Sequence, residues 1–258
     1  MLWLKSAGHS SSTRKIRLTL SIPLLLACSC VTENHGANAY VAFGGGSMKH
    51  ETKGTDLDDK TDAGYFALGG EVMFTERVGG GMRLEGAASD DDMFADVPGA
   101  DASEVGDGEL FFHGTVGFGE QPQEMPLRFG LFFRGYSLEE NVTSDQVNWS
   151  SFGPRLEFAP DIELIENDGF RWSLPCRLGV GIGVTTVSTD PETEDWDTTM
   201  TQYDVGIATR FAFSKVWFDV GYLNRHANYS ESDETAGLTI LEVDTTFSGL
   251  VVTFGVKF

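Results

Sequence analysis

The chain is 258 residues long and carries a formal charge of −21, from 39 Asp and Glu against 18 Lys and Arg. That length suits one domain or two small ones, and a surface this acidic excludes nucleic acid as a partner, because it repels the phosphate backbone. Three cysteines build no disulfide framework, and no apolar run reaches the roughly 20 residues of a membrane-spanning helix.

In chain order, Arg14, Lys15 and Arg17 precede the apolar run Leu18–Ala27. Basic residues followed by a short apolar stretch make a secretory signal rather than an anchor. Two processing sites compete. Ala37-Asn38-Ala39 is a small-residue cleavage site that leaves Tyr40 first in the mature chain. Leu25-Leu26-Ala27-Cys28 resembles a bacterial lipobox, in which Cys28 is lipidated. The long gap from Cys28 to Ala39 favours the lipobox; the redundancy of a lipid tether on a chain already embedded in a membrane favours Ala39. The expected organisation is a signal over residues 1–39 and one domain over 40–258.

Ten segments then show two-residue alternation or strand-like composition: Tyr40–Lys49, Gly64–Phe74, Arg77–Ala87, Gly108–Gly119, Pro126–Leu138, Trp149–Ile165, Phe170–Val187, Gln202–Phe213, Val216–Tyr229 and Thr245–Phe258. A period of two is the mark of a strand with two unlike faces. In the seventh, Phe170, Trp172, Leu174, Cys176, Leu178, Val180, Ile182 and Val184 share one parity, and Arg171, Arg177, three glycines and small polar residues share the other. The eighth sets Tyr203, Val205, Ile207, Phe211 and Phe213 against Asp204, Gly206 and Arg210. The sixth sets Phe152, Leu156, Phe158, Ile162 and Leu164 against Arg155, Glu157, Asp161 and Glu163.

The connections alternate in length. Short links fall at Thr75-Glu76, Glu120–Glu124, Glu166–Gly169 and Ser214-Lys215; long ones fall at His50–Ala63, Ala88–Asp107, Glu139–Asn148, Ser188–Thr201 and Ser230–Asp244. Beyond the leader, every arginine except Arg77 at a turn lies on the face opposite the aliphatic and aromatic residues: Arg83, Arg128, Arg134, Arg155, Arg171, Arg177, Arg210 and Arg225. Glu71, Glu85, Glu109, Glu157, Asp161, Asp204 and Asp219 share that face. A soluble barrel fills its interior with apolar side chains. Here the apolar face is too large and too rich in Phe for one core, so it meets lipid, and the opposed charges pair in the lumen. Tyr136, Trp149, Tyr203 and Tyr222 then fall at one membrane interface, and Phe74, Phe170, Trp172, Phe213 and Phe258 at the other.

The final strand alternates Leu250, Val252, Phe254, Val256 and Phe258 against Gly249, Val251, Thr253, Gly255 and Lys257. A chain ending on Phe in such a strand resembles the terminal assembly signal of outer-membrane β-barrels. Residues 40–258 resemble, in pattern, the small outer-membrane β-barrel proteins of double-membraned bacteria. The resemblance implies an all-β fold, a single transmembrane antiparallel up-and-down barrel of about 10 strands, with 8 as the alternative. It also implies short periplasmic turns, long acidic extracellular loops, and partners in outer-membrane lipid, lipopolysaccharide and, through Phe258, the barrel assembly machinery.

The five long connections hold 25 of the 39 acids. The densest patch, Asp90, Asp91, Asp92 and Asp96, is either a solvated loop or a loose Ca²⁺ or Mg²⁺ site; Asp56–Asp62 lacks the glycine and terminal Glu of an EF-hand. No specific metal site and no other cofactor is expected. Catalysis has no clear foothold. Ten strands match the omptin proteases, but their Asp-x-His element is absent, and His113-Gly114-Thr115 only approaches the His-x-Ser element of lipid A deacylases. His113 is expected in the lumen, and the chain is expected not to be an enzyme. The expected role is therefore structural or surface-binding, with a narrow solute or ion channel as the first alternative and a protease or lipid-modifying enzyme as the second.

Overall fold

The computed structural model describes residues 36–89, 94, 102–117, 126–140, 146–190, 195–233 and 239–258, and every regular element among them is a β-strand. In order these are β1 (Ala37–Thr52), β2 (Asp58–Met73), β3 (Val78–Ser89), β4 (Ala102–Val116), β5 (Leu127–Glu140), β6 (Gln146–Phe158), β7 (Asp161–Asn167), β8 (Phe170–Asp190), β9 (Asp195–Phe213), β10 (Val216–Tyr229) and β11 (Val243–Lys257). Each pairs antiparallel with its sequence neighbours, apart from the β6/β7 wall described below. β1 also pairs with β11, in register from Asn38 opposite Lys257 to Thr52 opposite Val243, so the sheet closes on itself. Closure removes the unpaired edges that a bilayer does not tolerate.

The closed circuit has ten walls because β6 and β7 form one of them. Both pair with β8, β6 along its Leu178–Asp190 half and β7 along Phe170–Pro175. The segment expected as one strand, Trp149–Ile165, is broken at Ala159-Pro160. Pro160 has no N–H to give the ladder; its carbonyl accepts a hydrogen bond from the Cys176 amide at 2.8 Å instead. At the turn end, Gly169 supplies the positive φ of 82° that the two-residue link from β7 to β8 needs.

The strands run further than the alternation alone predicts. β1, β2, β4, β8, β9 and β11 all extend into the expected long loops, leaving residues 53–57, 90–101, 141–145, 191–194 and 230–242 as the connections at that end. β1 begins at Ala37, so a cut after Ala39 removes its first residues.

The extra strand length has a different chemistry from the rest. On β9 the outward side chains from Tyr203 to Phe213 are mostly apolar: Tyr203, Val205 and Ile207 are each about half exposed (48–55%), and Phe211 and Phe213 follow. That span matches the roughly 9–11 residues a tilted strand needs to cross a hydrocarbon core. Beyond it, the outward residues of the same strand are Thr201, Thr199, Asp197 and Asp195, while Met200 and Trp196 turn inward and are buried. β10 and β11 switch in the same way. Val216, Val220 and Tyr222 face out, but Ala227 and Tyr229 face in; Leu250 and Phe254 face out, but Phe247 and Val243 face in. One end of the barrel is apolar outside and charged inside. The other is polar outside and apolar inside, as in a soluble barrel.

This inversion corrects the interface expected from sequence. Tyr203 and Tyr222 are exposed at the belt's upper edge, whereas Tyr136 and Trp149, 1% and 4% exposed, lie inside the barrel. They belong to the projecting part, where water is outside and the interior is the apolar phase. We expect Ile207→Arg to destabilise the folded barrel by about 2–4 kcal/mol and Thr199→Arg by no more than about 1 kcal/mol, measured by reversible denaturant titration in lipid vesicles. Equal effects at the two positions contradict the assignment of solvents.

Candidate functional site

Three layers fill the lumen. The middle one is ionic and draws on β2, β3, β4, β5, β6, β8, β9 and β10. Arg155 Nη1 donates to Glu109 Oε1 at 2.7 Å, and its Nη2 reaches Asp204 and Glu157. Arg83 grips Glu157 with both terminal nitrogens, at 3.2 and 2.9 Å, and donates from Nε to Glu85 at 3.1 Å. Arg177 spans Glu85 at 2.9 Å and Asp204 at 2.5 Å. Arg225, 2% exposed, lies 3.6 Å from Glu85 and 3.7 Å from Glu109. The Phe111 ring sits between the Arg83 and Arg155 guanidinium groups, 5.3 Å from each.

Charges this deep are costly to desolvate, and they persist because each is paired several times over. The inward glycines of β8 make room for them: a Cβ on Gly179 would come within 2.8 Å of Arg155 Nη2. Sequence reasoning did not include Asp107, Gln202 or Tyr65 in this layer. Asp107 and Gln202 both bind Arg134 at 2.8 Å, and Tyr65 donates to Glu85 at 2.7 Å. Asp107 ends an expected long connection, Ala88–Asp107, but it shares its parity with Glu109 and Phe111, and that parity is the signal for its place in this layer.

Above the ionic layer, in the projecting part, the interior is an aromatic seal. Tyr136 lies against Trp149 with ring centroids 5.2 Å apart, and Tyr229 packs on both, at 6.0 and 6.1 Å. The Tyr136 hydroxyl and His50 Nδ1 are 2.6 Å apart. Phe94 covers His50 edge-on at 5.3 Å. It is held there by its amide, which donates to Asp59 at 2.6 Å, and by a φ of 65° that bulky residues rarely adopt. Met48, Val105, Val187, Met200 and Val243, all 3% exposed or less, complete the packing.

Below the ionic layer, towards the short turns, lies a cavity of about 380 Å³. Arg128 bridges Glu71 and Glu157 at its inner edge, 3.1 Å from each. Arg210 holds Asp219 with Nε and Nη2, both at 2.8 Å, and Asp161 with Nη1 at 3.2 Å. Arg171 is held more loosely, 3.8 Å from Asp161 and 3.4 Å from Glu163. The sequence-derived set is thus divided between two levels. Arg83, Arg134, Arg155, Arg177, Arg225, Glu85, Glu109, Glu157 and Asp204 lie in the middle layer, and Arg128, Arg171, Arg210, Glu71, Asp161 and Asp219 line the cavity.

The histidines do not converge. His50 is in the seal. His113 lies on the inward parity, stacked on Phe111 at 5.1 Å and 3.2 Å from Thr115. His226 is on the outer wall, 2.9 Å from Thr246 and 3.4 Å from Asp244. At the adjacent rim, outside the membrane-spanning span, hydrogen bonding to Asp244 and then Glu51 raises the Lys53 ammonium above the ordinary lysine range. Asp90, Asp91, Asp92 and Asp96 lie outside the described residues, and among those described no group of three His, Cys, Asp or Glu is placed to hold a metal.

Removing one partner from the ionic layer leaves buried charge uncompensated. Arg155→Met is expected to cost about 3–5 kcal/mol, and adding Glu109→Gln to recover part of that loss. Paired unfolding titrations of the single and double variants measure the difference.

No protein-family model matches the sequence, and no curated protein matches it. Among solved structures, the outer-membrane protease OmpT from Escherichia coli superposes with a TM-score of 0.52 at 9% identity, over 87% of this chain and 97% of that one. The translocator domain of the autotransporter NalP from Neisseria meningitidis gives 0.39 at 8% identity, over 91% and 93%. Ail, the attachment invasion locus protein of Yersinia pestis, gives 0.29 at 14%, over 85% and 98%. The OmpT superposition carries the fold and nothing of that protein's chemistry. The chain shares with that outer-membrane protein the fold of a closed antiparallel β-barrel.

Proposed function

We propose that the chain is an integral outer-membrane protein with a closed lumen, whose projecting polar end serves a structural or surface-binding role at the cell exterior. The observation that carries this reading is the stacking of two seals in series. Eight strands leave an interior that side chains can just fill, and much larger barrels leave aqueous channels. Ten walls enclose somewhat more space, and here the ionic layer and the aromatic seal occupy it, with Arg225, Phe111, Tyr136 and Tyr229 all at 2% exposure or less. A general porin needs a continuous wet path, and these layers interrupt it twice.

The proposed orientation rests on the two solvents and on the longer connections at the polar end. The apolar belt lies in the bilayer, and the polar strand ends with the acidic connections project outward, as in barrels with longer external loops. There they face lipopolysaccharide, whose anionic groups meet the acidic loops through bridging divalent cations. The β11 strand ending in Phe258 is the segment offered to the assembly machinery. His50, in the seal, His113, on the cavity wall, and His226, on the outer wall, lie apart from one another, and that scatter supports a non-enzymatic role.

Planar-bilayer recordings test the closed lumen. The folded barrel is expected to give no large, stable conductance. Arg155→Ala alone should leave it closed, because the aromatic seal remains, and Trp149→Ala with Tyr229→Ala should leave it closed on the ionic layer. Combining all three substitutions is expected to open a measurable path. Nanosiemens steps from the unaltered protein contradict this reading.

A further inference from the structure

We propose that the cavity at the short-turn end is a binding site for a small oxyanion, held by Lys257 together with Arg171 and Arg210. It rests on a feature that neither seal explains. Inside this barrel the arginines are matched by carboxylates, but Lys257, on the inward parity of β11, has no carboxylate within 4 Å among the described residues. Its charged neighbours are Arg171 and Arg210, which line the same cavity, and the carboxylates Asp161 and Glu166, both beyond 4 Å.

Asp219 and Asp161, the carboxylates that line the cavity beside Arg210, are already engaged. Asp219 receives two hydrogen bonds from Arg210, and Asp161 receives a third. Arg171 has Asp161 at 3.8 Å and Glu163 at 3.4 Å, neither aligned for a hydrogen bond, so its Nε and Nη2 are left without an acceptor among the described residues. Among the described side chains lining the cavity, six cations face four carboxylates, and Lys257 is the cation with no carboxylate within 4 Å. In a cavity walled by protein and sealed above by the ionic layer, such an imbalance attracts an anion.

The cavity's shape agrees. Its volume, about 380 Å³, falls in the range of small-ligand sites. Arg210 Cζ lies over Trp217, 4.1 Å from the ring centroid, and Tyr40 stands 6.2 Å from the same ring, so one wall is aromatic. Phosphate and carboxylate oxygens suit guanidinium and ammonium donors equally in kind, and Arg favours those that can accept two parallel bonds. The dead end above means that the ligand enters and leaves by the same mouth. The site is a pocket, not a stage in transport.

Calorimetric titration of the detergent-folded barrel, at constant ionic strength, tests this with inorganic phosphate and with acetate in parallel. The proposal predicts saturable binding of at least one of them. Lys257→Gln should weaken it about tenfold, and Asp161→Asn, which frees Arg171 and removes a competing carboxylate, should tighten it. A shift of tenfold corresponds to about 1.4 kcal/mol. Whichever anion binds in a Lys257-dependent manner identifies the chemistry. Should Lys257→Gln fail to show the heat-modifiable mobility of a folded barrel, the Asp161→Asn comparison decides alone. No saturable heat with either anion, or affinities unchanged in both variants, overturns the proposal.

Discussion

The long strands β9, β10 and β11 each pass through two solvents, and the rest of the structure follows from that. In the hydrocarbon region an outward charge costs several kcal/mol, whereas inward charge is tolerated if it is paired. In the projecting region the outward side chains meet water, and apolar groups gain by turning inward. A strand cannot rotate about its axis without leaving the ladder, so the side-chain chemistry switches parity instead. β9 does this between Met200 and Tyr203 with the backbone ladder unbroken on both sides.

The two interiors this produces are unlike and complementary. The ionic layer is held by multivalent pairing, in which Glu85 alone meets Arg83, Arg177 and Arg225. It specifies register, because a one-residue slip would turn its charges into lipid. The aromatic seal is held by burial and ring packing, in which Tyr136 meets Trp149, Tyr229 and His50. On the proposed reading each layer closes the lumen by itself, so the closed state does not depend on any single side chain.

Much of this was legible in the amino-acid order. Eight arginines on one parity, opposed by Phe, Val and Ile on the other, specified a membrane barrel, and the alternation around Val180 and Ile207 marked the belt. What escaped was the change of phase. Trp149 sits three residues from Phe152, and Tyr136 three from Phe133, so in each pair one aromatic faces out and the next faces in. Treating all aromatics as one face merged seal and belt, and it turned the polar outer halves of β2, β8 and β9 into loops. The break at Pro160 was visible as a proline in a strand. The partner choices of Arg134 and Arg225 were not, because they join walls distant in sequence. The ion left over at Lys257 became apparent only once the pairings were known.

The central claim is that one continuous strand faces lipid at one end and water at the other. Single cysteines along β9, in a Cys176→Ser background, test it with a water-soluble maleimide applied to the barrel in vesicles. Asp197→Cys and Thr201→Cys are predicted to react readily. Val205→Cys and Ile207→Cys are predicted to be shielded by lipid and to react only after detergent or denaturant exposure, while Met200→Cys, packed inside the seal, reacts only on unfolding. Rapid labelling at position 207 in intact vesicles, or at 200 in the folded barrel, would contradict the account.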